Sequence, residues 1–313
     1  MFIVNSQEVH ARLPYSELIE ELRAAFCRGC AMPDRHQHDV GQVNGERATL
    51  LLMPAWNTDR GELGVKLINV FPGNARLGHP SVVGVYIFMD GTTGAARAVI
   101  DGTALTVRRT AAASALASDY LSRPDSARLL MVGSGNLAPH LVRAHAVVRP
   151  LDDITVWSRS HANATGLAER LCREGFSARA TEDLEAAAGR ADIISCATLA
   201  TEPLIAGHWL RPGTHLDLVG GFTPHMREAD DEAIRRSAVY VDTRAGALAE
   251  AGDVIVPIQR GILRERDIRG DLTDLCRGER PGRGDSAAIT LFKSVGAALE
   301  DLAAAALVAR AGE

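Results

Sequence analysis

The spacing of apolar residues changes character near residue 122. Phe2 to Val4 reads as a short strand, and Leu18, Ile19, Leu22 and Phe26 recur at the spacing of one helix face. After a polar loop, Arg47 to Met53, Leu63 to Val70, Val82 to Met89 and Ala96 to Asp101 read as strands. Turn signals separate them, among them Asn44-Gly45 and Asp90-Gly91. This grouping predicts a small antiparallel sheet. Thr103 to Leu121 then predicts an alanine-rich helix, closed by Ser122 to Asp125. From Ala127 onward short apolar runs alternate with helical patterns. Candidate strands are 128–133, 153–158, 177–180, 192–197, 214–219 and 238–241, with helices near 137–148, 160–174, 182–189 and 230–236. A final helix is expected from Thr290 to Ala311.

Strand and helix in alternation build a doubly wound parallel sheet. The expected class is therefore α/β: a Rossmann-type domain over 121–299, plus a smaller α+β lobe over 1–120 joined by the C-terminal helix, about 300–313. The chain has 313 residues, enough for two such domains, and 46% of them are hydrophobic. A net charge of −5 gives no basic surplus for nucleic acid or an anionic membrane. No apolar run approaches the ~20 residues of a membrane span, and the N-terminus reads as no signal peptide. Five scattered cysteines suit a reduced, cytoplasmic setting. Cys27 and Cys30 form a lone C-x-x-C inside a helical pattern and read as packing thiols. His36, His38 and Asp39 lie in the polar stretch and read as a solvated loop. No metal site is expected.

The richest local signal is Gly133-Ser134-Gly135-Asn136-Leu137-Ala138, between the strand ending at Val132 and the helix that follows. In that context G-x-G-x-x-A marks a dinucleotide site. Gly133 permits the tight turn, Gly135 lets the backbone approach a pyrophosphate, and Ala138 lets helix and strand pack closely. The helix N-terminus offers free N–H groups to the phosphates. The next strand ends in Trp157, followed by Ser158-Arg159-Ser160. An NAD-selecting domain usually carries Asp or Glu there, to bind both ribose hydroxyls. Here Arg159 follows instead, which favours a 2′-phosphate and so NADP(H), with NAD(H) as the alternative; an arginine pairing locally is the other reading.

Three cations of the first lobe stand out: Arg47 opening a strand, Lys66 within an apolar run, and Arg109 in the alanine-rich helix. Taken singly, Lys66 could point out of a half-buried sheet, and Arg109 could be a solvated helix residue beside Arg108.

At this point the chain resembles the ornithine cyclodeaminase/mu-crystallin family. Gly64 to Asn74, Asp101 to Ala115, the glycine motif, Thr198 to Pro203, Val239 to Arg244 and Thr290 to Gly296 carry the resemblance. It implies a Rossmann domain and a substrate lobe that pairs in a homodimer. Family activities include ornithine cyclodeamination, alanine dehydrogenation and reduction of cyclic imines. The resemblance carries the substrate-carboxylate residues onto Arg47, Lys66 and Arg109, and a substrate-side position onto Ser81. It carries cofactor contacts onto Thr198 and Leu199 and onto the stretch from Lys293 through Ser294 to Gly296. Two guanidiniums and an ammonium hold a planar carboxylate by charge-assisted hydrogen bonds.

One departure separates chemistries. Cyclodeaminases carry a catalytic aspartate after paired glycines, where this chain has Gly220-Gly221-Phe222. Without that carboxylate, steering a second amine is impaired, and an apolar Phe222 suits a compact ring. Glu228 or Asp217 is the candidate substitute. The stretch from Gly221 to Glu228 also resembles that of pyrroline-2-carboxylate reductases. The expected activity is NADPH-dependent reduction of Δ1-pyrroline-2-carboxylate, and of Δ1-piperideine-2-carboxylate, with Lys66 as proton source. The alternatives are ornithine cyclodeamination with bound NAD, or small-molecule binding of the mu-crystallin kind. The partner is thus a small cyclic imino acid.

Overall fold

The computed structural model describes residues 1–312, apart from the side chain of Ala75. The chain divides into two compact units, Met1–Arg109 with the segment from Ala297 onward, and Thr110–Gly296. The division falls inside the long helix rather than near residue 120. Arg109 is ion-paired within the first unit, to Glu300 and Asp301, while Ser114 bonds Asp217 within the second.

The first unit contains, in order, β1 (Phe2–Val4), α1 (Ser6–Arg12), α2 (Tyr15–Arg28), β2 (His36–Val43), β3 (Glu46–Asn57), β4 (Glu62–Val70), β5 (Val82–Asp90) and β6 (Ala96–Asp101). The helix α3 (Gly102–Leu121) begins here and runs on into the second unit. The sheet order is β1-β6-β5-β4-β3-β2, antiparallel except for β1 beside β6. Period-two alternation sends Met53, Ala55, Gly64, Lys66, Tyr86 and Phe88 to one face, which α11 (Ala298–Arg310) covers, with α2 packed against α11. Leu18, Ile19, Leu22 and Phe26 of α2 are all buried, as their spacing requires. The opposite face is apolar and open: Val83 and Val85 remain 42% and 40% exposed.

His36 to Val43, expected as a solvated loop, forms the edge strand β2. It remains largely exposed, and its pairing to β3 shifts between Asp39 and Gly41. A polar edge strand with a bulge has no alternating apolar signal to read.

The second unit contains β7 (Arg128–Val132), α4 (Ala138–Val148), β8 (Asp153–Trp157), α5 (His161–Arg173), β9 (Ala178–Thr181), α6 (Leu184–Ala188), β10 (Ile193–Cys196) and β11 (His215–Leu218). Then come α7 (Asp231–Arg236), β12 (Ser237–Val241), α8 (Arg244–Glu250), α9 (Gly252–Gln259), β13 (Gly270–Asp271), α10 (Leu272–Cys276) and β14 (Ile289–Lys293). All eight strands are parallel, in the order β13-β12-β14-β11-β10-β7-β8-β9. From β9 to β14 this is the doubly wound order, with its switch point between β7 and β10. The final helix does not begin at Thr290. Residues 289–293 form the central strand β14, buried at every position, and α11 starts only at Ala298. A short run buried on both faces has no periodicity to separate strand from helix.

Candidate functional site

The glycine turn lies at the switch point. Gly133 adopts φ +113°, and a Cβ there would lie 2.6 Å from the Ala197 carbonyl oxygen, so no side chain fits. Gly135 differs: a Cβ there would meet no protein atom within 4 Å. Its missing side chain therefore leaves room for something other than protein, as a pyrophosphate cradle requires. Asn136 and Leu137 complete the turn, Leu137 as N-cap of α4, and Ala138 is fully buried. The Ser134 hydroxyl bonds that of Ser158 at 2.9 Å, tying the turn to the end of β8.

A cleft of about 540 Å³ opens at this turn, lined by Gly133 to Gly135, by Trp157 to Arg159 and by the stretch following β10. Arg159 is exposed on its wall, while Ser160 caps α5 by accepting from the Asn163 N–H. Leu199 lines the cleft, 77% exposed, and Thr198 donates from both its N–H and its hydroxyl to Glu228. Ser294 and Gly296 are held together by Asp242, whose Oδ2 accepts from the Ser294 hydroxyl and the Gly296 N–H. Phe222, half exposed, follows Gly220-Gly221 after β11.

Both candidate carboxylates for the place of the missing aspartate are buried and engaged by protein donors. Asp217 is enclosed by Ser114, Ser195 and His145. Glu228 is fully buried and accepts from Thr198, Gly220 and Gly221.

In the first unit, Lys66 and Arg109 meet on one carboxylate. The Lys66 ammonium donates to Asp301 Oδ2 at 2.5 Å, and Arg109 Nε donates to Oδ1 at 3.0 Å. Arg109 also donates to Glu300 at 2.7 Å. Lys66 is only 2% exposed. Burial pulls its pKa down to about 8, with Arg109 and Arg35 adding to the fall and Asp301 opposing it. The two arriving cations hold the Asp301 carboxyl below its usual range against the burial that would raise it.

Arg47 is not part of this group. It lies six residues before Met53, the residue paired with Lys66, and so about 20 Å along β3 at ~3.3 Å per residue. Its side chain is 79% exposed and paired with Asp39. Ser81 is also remote. It precedes β5, five residues from the Tyr86 that pairs with Lys66, about 17 Å away on the same reckoning. The third cation is Arg35, whose charge reaches Lys66. His36 pairs with Leu52, and Leu51 to Met53 continue across to Lys66, so one further step of the β2 register sets Arg35 opposite Met53. Arg35, Met53, Lys66 and Tyr86 then form one cross-strand row. The Tyr86 hydroxyl is buried in that row without a hydrogen-bond partner, and burial holds its pKa well above the ordinary value. Asp301, Glu300 and Tyr86 are thus neighbours of these cations that composition and spacing did not disclose.

The fold and the cleft define a dinucleotide-binding α/β protein with a second unit that carries buried cations. The ornithine cyclodeaminase/mu-crystallin family model matches residues 2–311, and the chain belongs to that family. It is 40% identical to the Δ1-pyrroline-2-carboxylate reductase of Paracoccus denitrificans, over 96% of this chain and 93% of that one. It is 33% identical to the mouse protein named ketimine reductase mu-crystallin, over 97% and 95%. Among solved structures, the Thermococcus litoralis Δ1-pyrroline-2-carboxylate reductase in complex with NADH and L-proline superposes with a TM-score of 0.93. That match has 34% identity and covers 99% of this chain and 97% of the other.

Proposed function

We propose that the protein is an NADPH-dependent reductase of cyclic ketimines, converting Δ1-pyrroline-2-carboxylate to L-proline and Δ1-piperideine-2-carboxylate to L-pipecolate. The observation that carries this reading is the pair of buried cations, Lys66 and Arg109, gathered on Asp301 and Glu300 with the charge of Arg35 reaching Lys66. An ammonium and guanidiniums gathered in this way are the donors that a substrate carboxylate needs. The names of the relatives at 33–40% identity support the same chemistry.

The nicotinamide, when bound, supplies the hydride that reduces C2. Arg109 and Arg35 hold the substrate carboxylate and so orient the C=N bond, the positioning part of catalysis. Lys66, with its pKa drawn to about 8, is charged at neutral pH and able to release a proton to the ring nitrogen, directly or through water. Phe222 belongs to the substrate side in this reading, since a ring lacking a second amine needs no carboxylate there.

Arg159, with Ser158 and Ser160 beside it, supports NADPH over NADH, because a guanidinium matches a 2′-phosphate in bidentate fashion. The open apolar face bearing Val83 and Val85 supports a homodimer built on the first unit's sheet. Five free cysteines support a cytoplasmic setting; no helix among the described residues is long and apolar enough to cross a membrane.

The test is oxidation of NADPH, and of NADH in parallel, with the two cyclic imines and with an ornithine control. Turnover of the imines, faster with NADPH, is expected. Ammonia release from ornithine without added cofactor overturns the reading. So does cofactor binding with no oxidation across the imine panel.

A further inference from the structure

The second unit buries a group of charges that the chemistry above does not use. Glu228, Asp253 and Lys293 are each 0% exposed. Glu228 Oε1 accepts from the N–H and the hydroxyl of Thr198, both at 2.8 Å. Its Oε2 accepts from the N–H groups of Gly220 at 2.8 Å and Gly221 at 3.3 Å. One carboxylate therefore joins the segment after β10 to the segment after β11. Asp253 in turn holds the backbone of Glu228, its Oδ1 accepting from the Glu228 and Ala229 N–H groups at 2.8 and 3.2 Å. The Lys293 ammonium, at the end of β14, stands 3.3 Å from Asp253 and 3.9 Å from Glu228. Gly220 could be no other residue: a Cβ would lie 2.1 Å from the Thr198 carbonyl oxygen and 2.5 Å from Glu228 Oε1.

A doubly wound sheet takes a dinucleotide across its switch point, one nucleotide on each half. Arg159, at the end of β8, assigns the adenosine to the half built on β7 to β9. The other half, built on β10, β11 and β14, then takes the nicotinamide nucleotide, and the segments joined by Glu228 are its rim. We infer that Glu228 is a positioning residue that holds these two segments in register for the nicotinamide nucleotide, and that cofactor binding weakens when its carboxylate takes up a proton. A carboxylate accepts all four donors at once. A carboxylic acid must direct its own hydrogen at one of them, which releases part of the rim.

The charged and titratable groups facing Glu228 are Lys293 from β14, Asp253 from α9 and the Cys196 thiol from β10. Burial pushes the Glu228 pKa up to about 7, Lys293 opposing and Asp253 assisting. Proton uptake thus falls within the working range. The effect on folding has the opposite sign. Between its ordinary value and about 7 the folded chain keeps a proton that the unfolded chain releases, so Glu228's contribution to stability grows as pH falls through 7. A residue of structural importance alone would not stabilise the fold and weaken the cofactor over the same pH interval.

The inference rests on the dinucleotide reading of the cleft, and its test separates the two. Dissociation constants of NADPH and NADH are measured by cofactor fluorescence from pH 5.5 to 8.5, for wild type, Glu228→Gln and Asp253→Asn. Both cofactors are needed because the 2′-phosphate of NADPH itself titrates near pH ~6. For wild type both constants should rise as pH falls through about 7. Glu228→Gln, whose amide cannot accept from all four donors, should bind about tenfold more weakly at pH 8 and show no inflection. Asp253→Asn keeps an acceptor for the two N–H groups but removes a like charge, so its inflection should move to lower pH. Wild-type affinity and inflection in Glu228→Gln overturn the inference, as does an unmoved inflection in Asp253→Asn if the glutamine variant does not fold. Binding with a flat profile removes the clamp alone, whereas no binding of either cofactor at any pH removes the dinucleotide reading itself.

Discussion

Each unit buries a mixed group of charges, and the two are held in different ways. In the first, Lys66, Arg109, Asp301 and Glu300 touch one another directly, at 2.5 to 3.0 Å. In the second, Glu228 is held mainly by peptide N–H groups, and its lysine stands off at 3.9 Å. The consequences follow from elementary electrostatics. Contact between opposite charges keeps Asp301 ionised against burial and also supports the charge on Lys66, whose pKa burial, with Arg109 and Arg35, still pulls down to about 8. The more distant Lys293, with the Thr198 hydrogen bonds, offsets burial less completely, and the Glu228 carboxyl rises to about 7. The first arrangement gathers cations on shared carboxylates; the second fixes backbone instead.

The sharpest way to break this comparison is to remove the shared carboxylate of the first group. Asp301→Ala leaves Lys66 and Arg109 buried without the acceptor that both use. Loss of one partner from a buried ion pair costs about 3–5 kcal/mol. A loss of that size in the unfolding free energy measured by urea denaturation is expected, with catalysis lost even where the protein still folds. A loss below about 1 kcal/mol would mean that the direct contacts hold nothing, and that the two groups do not differ as described.

How far the chain discloses these groups varies. Alternation in β4 and β5 and the 3.6 spacing in α2 are plain, because one face of each is apolar. The glycine turn is plain because Gly133 and Gly135 are required by backbone geometry. Strand β14 is not, since five residues buried all round show no period. Arg35 is hidden for a subtler reason. The Asn44-Gly45 turn sets the β2–β3 register, pairing Gly41 with Ala48, and an unbroken ladder would carry Arg35 opposite Pro54, on the other face. The irregularity between Asp39 and Gly41 adds one residue and turns Arg35 toward Met53 and Lys66. Nothing in composition announces that bulge, and the resemblance set on Arg47 the role that the proposal above gives to Arg35.

That exchange supplies the second prediction. Hydrogen bonds to a charged group are worth about 1.5–3 kcal/mol. Arg35→Met should therefore lower kcat/KM for Δ1-pyrroline-2-carboxylate by about 10- to 150-fold, chiefly through KM. Arg47→Met should stay within about twofold, because its exposed pair with Asp39 faces solvent. The reverse ranking would restore Arg47 to the site and detach the cation group from the row through Met53.

The smallest effect probes the lysine on which the two groups most differ. Below about pH 8 the Lys66 ammonium is present, and as pH rises through 8 it is lost, along with its attraction for the substrate carboxylate and its proton. The pH profile of kcat/KM, which reports the free enzyme, should accordingly fall on an alkaline limb centred near 8. Stability moves the other way. Between about 8 and the ordinary 10.5, the unfolded chain holds a proton that the folded chain has released, so the cost of burying Lys66 relaxes as pH rises. Lys66→Met should flatten the limb. Arg35→Met, by removing a like charge that presses the lysine's pKa down, should shift the limb to higher pH. If Lys66→Met keeps near-normal turnover and the same limb while Arg109→Met is inactive, the proton comes from elsewhere and Lys66 serves only to balance Asp301. If the limb survives in Lys66→Met but moves in Arg35→Met, the titrating group is another residue facing Arg35.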